Sequence, residues 1–375
     1  MAEASTRTRR PGWLIARLLM MIAACFAAVQ PAAAQTVLRD AETEALLRDI
    51  ARPLIEAAQL DPRNVEIALI QDREINAFVA GGQIVYLHSG LITVADNANE
   101  VQGVIAHELG HITGGHIIRS GEGIRQATGI MIATMILGAA AMALGAGEAG
   151  MGVLAAGQQA AMGQFLAFTR IQESSADSAG ATYLGRAGIS GRGSLAFFER
   201  LQNIEFRMNI PQDNGYARTH PLTGERIAAL THVYETDPAW DRPTDPALEE
   251  RFQRVRAKLI GYVDDPRQVL NRYPESNHSI PARYARAYAW HRTAHPDQSL
   301  AETDSLLQER PHDPYFLELK GQILLESGRP QEALVSLREA IAISWARYQS
   351  GEWTGMPSIA CSALTRARWG SPVRL

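Results

Sequence analysis

The stretch "VIAHELGHITGGH", residues 104 to 116, constrains this chain more than any other segment. Val101, Val104, Ile105, Leu109 and Ile112 recur at helical spacing, largely on one side, so the histidines are expected to sit on a buried helix. Positions four apart on a helix lie one turn apart on the same face, so His107 and His111 can aim ring nitrogens at one point. Glu108 is rotated about 100° from His107, near the rim of that face. The arrangement suits tetrahedral zinc held by three protein ligands with an open fourth position, where water is polarised and its pKa falls to about 7. Glu108 then acts as general base, taking a proton from the attacking water and later delivering it to the leaving amine. The five-residue pattern also arises by chance on ordinary helices, so the assignment depends on context and on a third ligand.

Two candidates compete for that ligand. One class of zinc peptidases places a glycine three residues after the second histidine and a further histidine three residues on. Gly114 fits, but the next position in that pattern is Ile117, and His116 falls one residue short, about 100° of helix away. The other candidate lies in "RIQESSAD", residues 170 to 177. There Glu173 would complete a site of two histidines and one carboxylate. Asp177, one turn on, would accept a hydrogen bond from a ligand histidine's far nitrogen and fix its tautomer. Alone, Glu173 reads as a solvated helix carboxylate; with Asp177, and with Ser174, Ser175, Ala176, Ala179 and Gly180 small enough to admit a close helix, the metal-site reading is favoured.

His107-Glu108-x-x-His111 followed by Glu173-x-x-x-Asp177 resembles the M48 family of zinc metallopeptidases, and the repeats described below resemble its periplasmic branch, the beta-barrel assembly-enhancing proteases. The resemblance runs from about residue 40 to 344. It implies an α+β, mostly helical fold: a zincin-like (gluzincin) metallopeptidase domain with a small sheet, then an α-helical repeat domain. It also implies one Zn2+ per chain on His107, His111 and Glu173, with Glu108 as catalytic base. Asn76, Ala77 and Phe78 in "INAFVAGG" match a family segment whose edge strand lies along the cleft, where an extended substrate could add as a strand; an ordinary strand is the alternative. "THPLTGERI" matches a family motif with a histidine near the metal. His220 would stabilise the oxyanion or occupy the open zinc position, and Arg226 would brace that segment or a carboxylate. Helix capping by Thr219-His220-Pro221 is the alternative. His88, His232, His278, His291, His295 and His312 lack such a setting and read as ordinary.

The N-terminus carries Arg7, Arg9 and Arg10, the apolar run "LLMMIAACFAAV" and the small residues of "PAAAQ". These predict a secretory signal peptide over 1–34, with a membrane anchor as the alternative. Cleavage there would remove Cys25 and leave Cys361 without a disulfide partner. The metallopeptidase domain is expected over 35–240. It contains a helix from about 40 to 59, strands joined by tight turns at Asp72-Arg73 and Gly81-Gly82, and a helix from about 158 through Leu184. Residues 127 to 146 carry no charge. Ala/Gly-rich helices, buried or lying on the surface, are expected there, with a bilayer span or a loop over the site as alternatives. The Pro/Asp cluster at 234–247 closes the domain, and a helical linker follows over 241–280.

From 281 to 347 the pattern resembles tetratricopeptide repeats: Leu317, Gly321, Leu324, Gly328, Ala333, Leu337 and Ala340 alternate small and large, with a degenerate copy around Ala287, thirty-four residues upstream of Gly321. Residues 348–375 read as an irregular tail.

Lys and Arg number 36 against 40 Asp and Glu, a formal charge of −4 with no basic footprint for nucleic acid, and no such partner is expected. The reading is an exported zinc endopeptidase. By resemblance its substrates are unfolded or misassembled outer-membrane proteins in the periplasm, with the repeats recruiting them or the outer-membrane assembly machinery. The rival is a chaperone or scaffold that works through its repeats, its metal site plugged by residues 127–146; that segment could instead touch a membrane surface.

Overall fold

The structure, a computed structural model, describes residues 36–208, 220 and 224–350, with side chains of 205–208 excepted. The expected signal peptide and the tail from 351 lie outside the described residues. The fold is α+β and mostly helical, with one small sheet. Asp40 opens α1 (Ala41–Ala57) by accepting a hydrogen bond from the Thr43 amide; Leu46, Leu47, Ile50 and Leu54 form its buried side. The strand region resolves into β1 (Glu66–Ile70), β2 (Ala77–Ala80) and β3 (Ile84–His88). β2 and β3 are antiparallel across the turn at Gly81 and Gly82, both at positive φ. β1 lies parallel to β3, so the order is β1-β3-β2 and β2 is an edge.

After α2 (Ser89–Val94), the motif helix α3 (Ala98–Thr113) begins at Asn97, which accepts a hydrogen bond from the Glu100 amide. Every residue of α3 from Ala98 to His111 is buried, as its apolar spacing leads one to expect. It runs through the middle of the domain, packed by α1, β2 and the later helices α5 (Gly147–Ala187) and α6 (Arg192–Met208). Between α3 and α5 stands α4 (His116–Ala143), antiparallel to the first half of α5. The sequence reading started α5 near 158. The helix starts at Gly147 because α4 supports the Ala/Gly-rich residues that would not hold a helix alone.

α7 (Gly224–Glu235) follows, then α8 (Pro246–Val263) and α9 (Pro266–Arg272). Phe252, Val255 and Leu259 place α8 in the main core with α1 and α3. Two helical hairpins complete the described chain: α10 (Ile280–Arg292) with α11 (Pro296–Glu309), and α12 (Pro314–Glu326) with α13 (Pro330–Gln349). Tyr284, Leu306, Phe316, Leu319 and Ile323 form their own core. Gly321 meets Leu337 across the second hairpin, which is the packing sense of the small/large alternation.

A buried ionic cluster ties these parts together. Glu42 of α1 pairs with Arg254 and Lys258 of α8 and accepts a hydrogen bond from the Tyr284 hydroxyl at 2.9 Å, while Arg254 also reaches Asp313 at 2.6 Å. Burial raises the Glu42 carboxyl's pKa, but the two cations outweigh it and hold the group below the usual carboxylate range.

Candidate metal centre

The site is built where α3 and α5 touch backbone to backbone. Gly110 faces Ala176, and Gly180 faces Ala106, so no side chain separates the helices. That approach lets Glu173 reach across to the motif histidines. His107 Nε2 lies 3.1 Å from His111 Nε2 and 3.4 Å from Glu173 Oε2; His111 Nε2 lies 3.4 Å from Glu173 Oε1. His220, just before α7, adds its Nδ1 at 3.2 Å from His107 Nε2 and 3.1 Å from Glu173 Oε1. Donors bound to one tetrahedral zinc at 2.0–2.1 Å stand about 3.3 Å apart, and these spacings, with both Glu173 oxygens taking part, are of that size. All four residues are buried, and together they form a group able to hold a metal ion.

The far side of each motif histidine is also engaged. His107 Nδ1 faces Asp177 Oδ1 at 2.9 Å, and Arg226 clamps Asp177 through Nε at 2.7 Å and Nη2 at 2.8 Å. Arg226 also places Nη1 3.1 Å from Glu173 Oε2, so one guanidinium braces both carboxylates. His111 Nδ1 meets His116 Nδ1 at 2.9 Å. The sequence reading set His116 against Glu173 for the third ligand position. Glu173 joins the His107 and His111 nitrogens, whereas His116 stands behind His111. Gly115 explains this placement: at φ 61° it ends one helix and restarts the next, swinging His116 back toward α3. The Gly114-Gly115 pair was the available signal.

The electrostatics follow the contacts. Burial disfavours a charged His107, but Asp177 and Glu173 outweigh it and push the ring up to about 10. Burial, reinforced by His107 and His220, pushes His111 down to about 2. Burial works against an ionised Glu173, yet hydrogen bonds and charge from His107 and His220 hold it far below the usual carboxylate range. Glu108 is fully buried, and burial pushes its carboxyl up. Neither Glu108 oxygen receives a hydrogen bond from a described residue, and Oε1 lies 3.5 Å from His220 Nε2. A buried carboxylate of this kind, beside a set of nitrogen and oxygen ligands, calls for a partner that the described residues do not supply.

Asn76 and Ala77 are buried at the start of edge strand β2, where Phe78 stacks on its cross-strand neighbour Tyr86 with ring centroids 5.1 Å apart. β2 packs against α3, so the edge runs beside the helix that carries the site. His88, read as ordinary, is buried at the end of β3 and stands 3.8 Å from Asp72. Residues 127–146, read as a possible plug, contribute no donor to the cluster; the fourth donor comes from His220, and α4 meets the site only at its root through His116.

The sequence model of peptidase family M48 matches residues 18–234. The chain belongs to peptidase family M48. Within this M48 chain, 279 residues align with the beta-barrel assembly-enhancing protease of Escherichia coli (strain K12) at 27% identity, covering 72% of this chain and 56% of that protein. The protein of the same name from Yersinia pestis is 25% identical over 279 residues, covering 73% and 56%. Metalloprotease LoiP of Escherichia coli (strain K12) is 29% identical over 196 residues, 51% of this chain and 70% of that one. The chain therefore spans about half the length of the beta-barrel assembly-enhancing relatives it matches.

Proposed function

We propose that this M48 protein is a zinc endopeptidase in which His107, His111 and Glu173 hold the metal and Glu108 is the general base. The observation that carries the reading is the agreement of the Nε2, Nε2 and carboxylate spacings, 3.1 to 3.4 Å, with one tetrahedral ion. Two imidazoles and a carboxylate are donors that zinc favours. When bound, the ion polarises the scissile carbonyl and the attacking water. Glu108 accepts the water's proton and returns it to the amine leaving group; its raised affinity for a proton suits that exchange near neutral pH. Asp177 and Arg226 hold His107 and Glu173 in place. An extended polypeptide adds as a strand to β2, along Asn76, Ala77 and Phe78.

Relatives named beta-barrel assembly-enhancing proteases support a role in beta-barrel assembly; we infer from it that the substrates are misassembled outer-membrane proteins in the periplasm, with the helical hairpins of 280–349 recruiting substrate or assembly machinery as tetratricopeptide-like units. His220 favours a second reading. Its Nδ1 stands at the fourth corner of the donor set, so the protein rests in a latent state and His220 must withdraw for cleavage, leaving a chaperone or scaffold role to the resting form.

Zinc content and casein cleavage, measured on the parent and Glu108→Gln, test the proposal. Zinc in both with cleavage in the parent alone supports it. Zinc in both with cleavage in neither favours the latent scaffold, and zinc in neither removes the metal site.

A further inference from the structure

The α4/α5 hairpin departs from the rest of the surface. Ile118, Ile136 and Leu144 are 89%, 63% and 87% exposed, and Met131, Ile132, Met135, Leu137, Met151 and Ile171 are exposed with them. At 100° per residue, the exposed apolar positions of α4 cover roughly 240° of its circumference, and only the arc that meets α5 is covered. A protein partner covers one face of such a helix; a surface that is apolar nearly all round calls for a solvent that surrounds it.

Charge and length agree. Residues 127–146 and 149–169 are two uncharged limbs of 20 and 21 residues, each about 30 Å as helix, which equals the hydrocarbon thickness of a bilayer. The charges stand at the ends: Arg119, Glu122, Arg125 and Arg170 at the root, with a surplus of two positive, and Glu148 alone at the tip. Among the described residues, α4 is the one helix long and apolar enough to cross a membrane by itself; the second limb carries Gln158, Gln159 and Gln164 and would enter only packed against α4. The limbs also meet through small residues. A β-carbon added at Gly123 would strike Phe168, at Gly138 Leu154, at Gly150 Met142 and the Gly138 carbonyl, and at Gly157 Thr134. Helices that gain nothing by hiding apolar surface from water pack in this manner.

We propose that the α4/α5 hairpin inserts into a lipid bilayer, its arginine-rich root at an anionic headgroup layer and Glu148 at the far interface. His116, the first residue of α4, touches His111, so the inserted hairpin sets the metal centre at the membrane surface. Substrates there would be chains emerging from or stalled against the lipid. Gln158 and Gln159 are the exposed polar side chains midway along the second limb.

The test is flotation of the full chain with vesicles of phosphatidylethanolamine and phosphatidylglycerol, followed by a high-pH wash. It is run on the parent and on the double variant Met135→Glu/Ile136→Glu. Both positions are exposed and far from the donor set, so zinc content should be unchanged and reports that the variant is folded. The parent is expected to float and survive the wash, and the variant to lose on the order of a hundredfold or more in vesicle affinity, the penalty for a single carboxylate in hydrocarbon. A second readout needs no variant: proteolysis with vesicles present should spare the segment between Arg119 and Arg170. A parent left in the soluble fraction with that segment cleaved would overturn the proposal. So would a parent that ignores vesicles but forms an oligomer that the variant abolishes, since the hairpin's occupant would then be a second copy. Neither result depends on peptide cleavage, so failure here leaves the peptidase reading standing.

Discussion

A β-carbon placed on Gly110 would lie 2.6 Å from the carbonyl oxygen of Ala176. This contact between α3 and α5 sets how near Glu173 comes to His107 and His111. Gly110→Ala must push the helices apart by several tenths of an ångström, against backbone rather than a yielding side chain. The expected cost is about 1–3 kcal/mol of stability, with weaker zinc binding as the carboxylate withdraws. Thermal unfolding and zinc titration check this; an unchanged zinc affinity would show that the contact does not set the donor geometry.

Asp177 acts on the metal through His107. Replacing it with Asn keeps the size but removes the charge that faces Nδ1 and half of the Arg226 clamp. Zinc affinity should fall about 10- to 100-fold while the fold persists. Competition against a zinc-binding dye measures it. Asp177→Glu should recover part of the loss, which a purely structural defect would not allow.

Zinc loading should be strongly pH-dependent. Asp177 and Glu173 push the His107 proton affinity up to about 10, and that proton must leave before the nitrogen can bind metal. Loading should therefore release a proton, and affinity should rise with pH across the neutral range. Calorimetry in buffers of different ionisation enthalpy reads the released protons directly.

How far the sequence disclosed this arrangement can be judged from particular residues. His107, Glu108 and His111 were legible because helical spacing alone fixes their mutual geometry. Glu173 and Asp177 were legible only through their small neighbours and the family resemblance, since nothing local says which distant carboxylate crosses to the histidines. His116 was set aside as a ligand because a continued helix puts it in the wrong register; its place behind His111 was not legible, because it depends on the left-handed Gly115 restarting the chain. The burial of α3 was legible from its apolar spacing, although that spacing does not name the neighbours that cover Glu100 and Gln102. The full length of α5 escaped because its first turns rest on α4 rather than on their own propensity.

Glu42 joins α1 to α8 and the first helical hairpin. Glu42→Gln leaves Arg254 and Lys258 with one fewer counter-charge in a buried setting and should cost about 3–5 kcal/mol. Because the folded-state pKa of Glu42 is lowered, its contribution is present above the ordinary carboxylate range and lost as pH falls through the lowered value. Acid unfolding monitored by circular dichroism should thus show a smaller difference between parent and variant at low pH than at neutral pH. An equal difference at both would assign the effect to packing.

The central claim is that Glu173, brought across from α5, is the third ligand to a zinc ion on His107 and His111. The most direct measurement is diffraction at the zinc absorption edge from crystals of the loaded protein. The account predicts one anomalous peak within about 2.2 Å of His107 Nε2, His111 Nε2 and a Glu173 oxygen. A peak bound by His116 with Glu173 turned away, or no peak among these residues, would contradict it.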